Sequence, residues 1–91
     1  MDTWTYVFIS TRHPKRTLAR VRKIRGVIHA DALFGSPDVI AIVKGRDLAT
    51  MDTVIDRIAE IKDIKATESK VARWLGGVGP PEPASRSKSK P

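Results

Sequence analysis

Five consecutive aliphatic residues, Val39-Ile40-Ala41-Ile42-Val43, most restrict what this chain can fold into. A strand built from such a run has no polar face to turn toward water, so it belongs in the middle of a sheet. The segment Trp4-Thr5-Tyr6-Val7-Phe8-Ile9-Ser10 makes the same demand: it is rich in aromatic and β-branched residues, lacks Gly and Pro, and is apolar on both faces. The chain has 91 residues, and a domain of that size buries only about 60% of its unfolded surface. There is no cysteine, which excludes disulfides, thiolate nucleophiles and Cys-ligated zinc. Association with further copies is the remaining way to add buried area.

The other elements follow from periodicity and punctuation. Pro14 suits the first turn of a helix in which Leu18, Val21 and Ile24 recur every three residues as one apolar stripe, with Gly26 as its end. Val27 to Phe34 reads as a second strand, and Gly35-Ser36-Pro37-Asp38 as a turn short enough for a hairpin into Val39–Val43. Asp47 is placed to cap a second helix, where Leu48, Met51, Val54, Ile55, Ile58 and Ile61 keep helical spacing and Asp52, Asp56 and Glu60 turn outward. Ile64 through Leu75 returns as a last strand. From Gly76 the chain is a Pro/Ser/Lys-rich basic tail with too little apolar content to order itself. Residues 1–75 are therefore expected to form one domain and residues 76–91 a disordered tail.

Strand-helix-strand-strand-helix-strand is the ferredoxin-like βαββαβ order of an α+β domain, with right-handed crossovers that place both helices on one side of the sheet. Val7 and Ile9 then share one face and Tyr6 and Phe8 the other; Ile40 and Ile42 alternate in the same way with Val39, Ala41 and Val43. Two helices cover one of these faces. Packing the other against its copy gives a dimeric α+β barrel by sheet-to-sheet contact.

The net charge is +7, which raises nucleic acid as a partner. Seven cations fall within the acid-free segment Arg12–Arg25, and Arg86, Lys88 and Lys90 lie in the tail. A solvated helix face explains the first group, with Asp52, Asp56 and Glu60 available as surface partners, and direct nucleic-acid binding is not expected. Base stacking on the sheet is disfavoured too, because the third strand carries no aromatic residue. The N-terminal residues resemble no signal peptide and no stretch approaches the roughly 18 apolar residues of a membrane span, so a cytoplasmic protein with no membrane partner is expected.

Four pieces in order, Tyr6-Val7-Phe8-Ile9, Ile24-Arg25-Gly26-Val27, Phe34 to Ala41 and Ile64 to Ser69, resemble the effector-binding (RAM-type) domain of the Lrp/AsnC transcriptional regulators over about residues 4 to 75. The family places a helix-turn-helix domain before this one, whereas here the first strand begins within a few residues of Met1. The resemblance implies a stand-alone domain that dimerises by sheet packing, assembles into rings of eight or ten subunits and holds an amino-acid effector between dimers. It also suggests mixed assembly with a full-length family regulator.

A free amino acid needs an acceptor such as Asp for its ammonium and backbone N–H groups for its carboxylate, where glycine permits close approach. Gly35, Ser36, Pro37 and Asp38 offer this set, and by family analogy the turn faces the effector cleft, with Thr67 and Ser69 contributing hydroxyls. Members of the family often carry an aromatic residue where this chain has Pro37. A plain hairpin turn with Asp38 capping local amides uses the same residue types.

No cofactor and no catalytic residue are expected. His13 precedes Pro14, and His29 stands near Asp31 on one face of the second strand without the repeated spacing of a metal site. The His29 and Asp31 pair leaves one alternative, a small dimeric α+β barrel enzyme of monooxygenase type, whose mark would be a cavity lined by both residues. Trp4 and Trp74 are read as packing at the strand ends.

Overall fold

The computed structural model describes residues 3–72. It contains β1 (Thr3–Thr11), α1 (Pro14–Val21), β2 (Val27–Ala32), β3 (Val39–Gly45), α2 (Leu48–Ala59) and β4 (Ile64–Val71), the expected order. The four strands form one antiparallel sheet, β2-β3-β1-β4. The two strands that are apolar on both faces are thus central, and the fold is ferredoxin-like α+β.

Register decides which apolar face the helices cover. Val7 lies opposite Ala41 and Ile9 opposite Val39. These residues and Val43 are buried against Val21 of α1 and Met51, Val54 and Ile58 of α2. The alternate set, Tyr6 opposite Ile42 and Phe8 opposite Ile40, lies on the helix-free face and is half-buried. His29 and Asp31 flank it from β2, and Glu68 and Lys70 from β4. The helix-free face therefore has an apolar centre between two polar edges.

Several boundaries differ from those expected. Helix α1 stops at Val21 instead of running to Gly26, because the Lys23 and Ile24 amides donate to the Arg20 and Val21 carbonyls and tighten the chain into three-residue turns. Gly26 then reverses direction with φ 102°. A Cβ there would stand 2.6 Å from Val54 Cγ2, so this position needs glycine both for its φ and for the approach of α2. The stripe on α1 also includes Thr17, which periodicity missed: its buried hydroxyl lies 2.7 Å from that of Thr11.

Strand β2 ends at Ala32, not Phe34. The Leu33 amide donates to the Asp38 carbonyl at 2.7 Å, closing a six-residue loop from Leu33 to Asp38 and leaving Phe34 fully exposed. Strand β4 ends at Val71; residues 73–75, Trp74 among them, and the expected tail 76–91 lie outside the described residues.

The cations of α1 do not pair with the acids of α2, which point outward. Arg16 instead meets Asp63 at 2.9 Å, and Arg22 approaches Asp31 at 3.6 Å. Asp63 has φ 81°, and its carbonyl accepts hydrogen bonds from the Arg12 amide and the Thr11 hydroxyl. The turn before β4 is thereby tied to the end of β1.

Asp47 caps α2 as expected, its carboxylate accepting the Thr50 amide at 2.8 Å. That hydrogen bond, with a smaller contribution from the charge of Arg46, holds its carboxyl below the usual aspartate range. A lowered folded value means that the cap stabilises in full above about pH 4, the unfolded range, and fades as pH falls through the folded value. Asp47→Ala is therefore expected to lower the urea midpoint at pH 7, with the gap from wild type closing in acid; a gap of constant size down to pH 2 would contradict this.

Candidate functional site

The loop between β2 and β3 stands at the end of the sheet where Val39 meets Ile9. Gly35 adopts φ 93° with open space around it, Ser36 is exposed, and the Ser36–Pro37 peptide is cis. Asp38 anchors the loop to β1: its amide donates to the Ile9 carbonyl at 2.9 Å and its Oδ2 accepts the Thr11 amide at 3.0 Å. Its carboxylate thus caps a distant strand, not the local amides that a plain turn would offer.

Next to this anchor lies a hollow of about 140 Å³, lined by Phe8, Ser10, Pro37, Ala66, Thr67 and Glu68. Of the residues expected at the site, Pro37 and Thr67 are brought together here from the β2–β3 loop and β4. Gly35, Ser36 and Asp38 lie outside the lining, as does Ser69, which is exposed opposite Val7. Phe8, Ser10, Ala66 and Glu68 were not anticipated. Alternation places Phe8 and Ser10 on one face of β1, but only the pairing of Phe8 with Glu68 and of Ser10 with Ala66 joins them to β4.

The hollow combines a ring and a pyrrolidine as apolar walls, the Ser10 hydroxyl, and one carboxylate able to accept hydrogen bonds from an ammonium; Thr67 stands opposite Ile9, so its side chain belongs to the helix-covered face. Lys70 stands 3.2 Å from the Glu68 carboxylate, so opposite charges are adjacent at its rim. A small zwitterion presents the complementary pair of charges.

His29 Nε2 lies 2.7 Å from Asp31 Oδ2, confirming that the two share a face. Both are open to solvent at the sheet edge. The adjoining hollow of about 190 Å³ is lined by His29, Arg22, Val27, Ile28 and Ala30 but not by Asp31. Arg22 donates from Nε and Nη2 to the Ala30 carbonyl, which holds its guanidinium against β2. Among the described residues no three His, Asp or Glu side chains are grouped to hold a metal. Trp4 is buried, with the Lys44 ammonium 5.2 Å from its ring centroid, a packing role at the strand end.

These features define a class, a small ferredoxin-like α+β domain with one sheet face covered by helices, an apolar face left bare and a hollow where the β2–β3 loop meets β4. Residues 5–73 match the Lrp/AsnC ligand binding domain, and the chain belongs to that family. No curated protein matches it at a significant level. Among solved structures, TTHA0845 from Thermus thermophilus superposes with a TM-score of 0.77 at 19% identity, covering 84% of this chain and 99% of that one. Escherichia coli AsnC gives a TM-score of 0.71 at 20% identity, with 89% of this chain and 57% of AsnC covered. The transcriptional regulator NMB0573 of Neisseria meningitidis, in complex with L-Met, gives 0.69 at 18% identity, covering 93% and 58%. The chain therefore spans little more than half the length of these two regulators. No helix among the described residues is long and apolar enough to cross a membrane.

Proposed function

We propose that this chain is an amino-acid-sensing and assembly domain without catalytic activity, which binds a small amino acid beside the β2–β3 loop and modulates transcription in the cytoplasm through partner regulators. The observation that carries this reading is the hollow in which Pro37 meets Ser10, Thr67 and Glu68. At about 140 Å³ it is smaller than the roughly 300 Å³ at which ordinary ligand pockets begin, as half of a site shared between copies would be. Glu68 receives the effector ammonium, Gly35 and Ser36 offer backbone amides to its carboxylate from the open loop, and a neighbouring dimer closes the cavity. Asp38 acts mainly by holding the loop in place through Thr11. The L-Met complex of NMB0573 supports an amino acid as the effector class.

The apolar face of Tyr6, Phe8, Ile40 and Ile42 forms the dimer by packing on its copy, and dimers join into a ring of eight or ten. The same surfaces admit a full-length Lrp/AsnC regulator, through which a bound effector reaches DNA. Co-purification that recovers no such regulator would remove this last step.

The test is a thermal-shift screen of the purified chain against the twenty free amino acids. A ligand at 100 times its dissociation constant stabilises by about 2.7 kcal/mol. A selective rise for a few amino acids, abolished in Glu68→Ala, is the expected result. No shift with any of them would refute the sensing role.

A further inference from the structure

Another hollow, of about 390 Å³, lies on the helix side at the other end of the sheet, and the effector reading leaves it unused. Three segments meet there. Arg25 comes from the turn after α1, Arg46 from the loop after β3, and Arg57 from α2, and all three are exposed. Thr50, Thr53, Val54 and Arg57 follow one another at helical spacing, so a single face of α2 forms one wall. Lys44 also borders the hollow, with its ammonium over the Trp4 ring. The floor is formed at Gly26 and Gly45, where a Cβ would lie 2.6 Å from Val54 and 2.7 Å from Met51. At both positions α2 packs directly onto the backbone, which fixes the wall of α2 against the end of β3.

No carboxylate residue lines this hollow. The nearest in sequence, Asp47, accepts the Thr50 amide. Arg25, Arg46 and Arg57 enter no ion pair among the described residues, whereas Arg16 and Arg22 do. Asp47 feels the charge of Arg46, but no carboxylate lines the hollow itself, and three arginines bordering such a concavity favour an anion with more than one negative charge. Their planar, forked donors suit phosphate oxygens in pairs. The volume falls within the roughly 300 to 1,000 Å³ of small-molecule sites. A polynucleotide is favoured by a stripe of cations along its backbone, and here the cations surround one depression.

We infer that this hollow is a second ligand site, which takes a small molecule bearing a phosphomonoester or pyrophosphate group. It is independent of the effector hollow: Val39 and Gly45 stand at opposite ends of β3, about 20 Å apart.

Calorimetric titration of the full chain with inorganic pyrophosphate, at low and at moderate salt, tests this. Saturable binding of one pyrophosphate per chain is expected, weakening as salt rises. Arg25→Gln with Arg57→Gln should weaken it at least tenfold, while Arg20→Gln, on the exposed side of α1 away from the hollow, leaves it unchanged. All three positions are exposed, and matching melting curves will show that the variants fold. Equal loss in the Arg20 variant, or equal binding of sulfate at the same ionic strength, would overturn the site. A single-stranded oligonucleotide that binds more tightly, with affinity growing with its length, would overturn the small-molecule assignment in favour of nucleic acid.

Discussion

Ile42→Asp is expected to turn the assembly into monomers at micromolar concentration, as read by light scattering coupled to gel filtration. Ile42 lies on the helix-free face opposite Tyr6 in one neighbouring strand and His29 in the other, so its side chain is near the middle of the proposed sheet-to-sheet contact. A carboxylate forced into such a contact without a partner costs several kcal/mol, and a two-fold interface introduces two of them. About 4 kcal/mol corresponds to a thousandfold rise in the dissociation constant. The monomer itself should stay folded, because Ile42 is not in the core beneath the helices. Ile42→Val, which keeps the face apolar, serves as the control. Wild-type protein that is already monomeric, or an aspartate variant that keeps its mass, would show that another surface joins the copies.

Ile9→Ala should have the largest effect on folding. Ile9 is completely buried and belongs to the cluster that both helices cover. Truncating such a side chain costs about 2–5 kcal/mol, from lost burial and from the cavity left behind. Domains of this kind are stable by only about 5–15 kcal/mol, so the change removes a large share. For 60 to 100 residues each kcal/mol shifts the melting temperature by about 4–8 °C, and a fall of at least about 8 °C is expected by calorimetry. Phe8→Ala, one residue earlier on the helix-free face, should cost the isolated chain clearly less and act mainly on association. Equal losses at the two positions would mean that both faces are buried within one chain.

Much of this architecture is legible in the order of residues. The aromatic and β-branched content of β1, the unbroken aliphatic run of β3 and the cap at Asp47 are local signals, and each names its element. The residues that carry the family resemblance also point to the right fold, since residues 5–73 match the family. Boundaries are less legible: α1 and β2 both end early because hydrogen bonds such as Leu33 to Asp38 compete with the regular ladder. The candidate site is legible only in part. Pro37 and Thr67 line the hollow, but Glu68, which brings the carboxylate, escapes notice because a lone acid on an edge strand looks like an ordinary solvated side chain.

The sequence alone thus determined the order of the elements and the presence of two apolar sheet faces, because both depend on spacing along the chain. The tertiary structure decided which face the helices cover and committed the Asp38 carboxylate to the Thr11 amide. It also gathered Arg25, Arg46 and Arg57 around one hollow. These outcomes depend on strand register and on residues distant in sequence, and with side chains alternating every second residue, a slip of one position would exchange the covered face for the bare one.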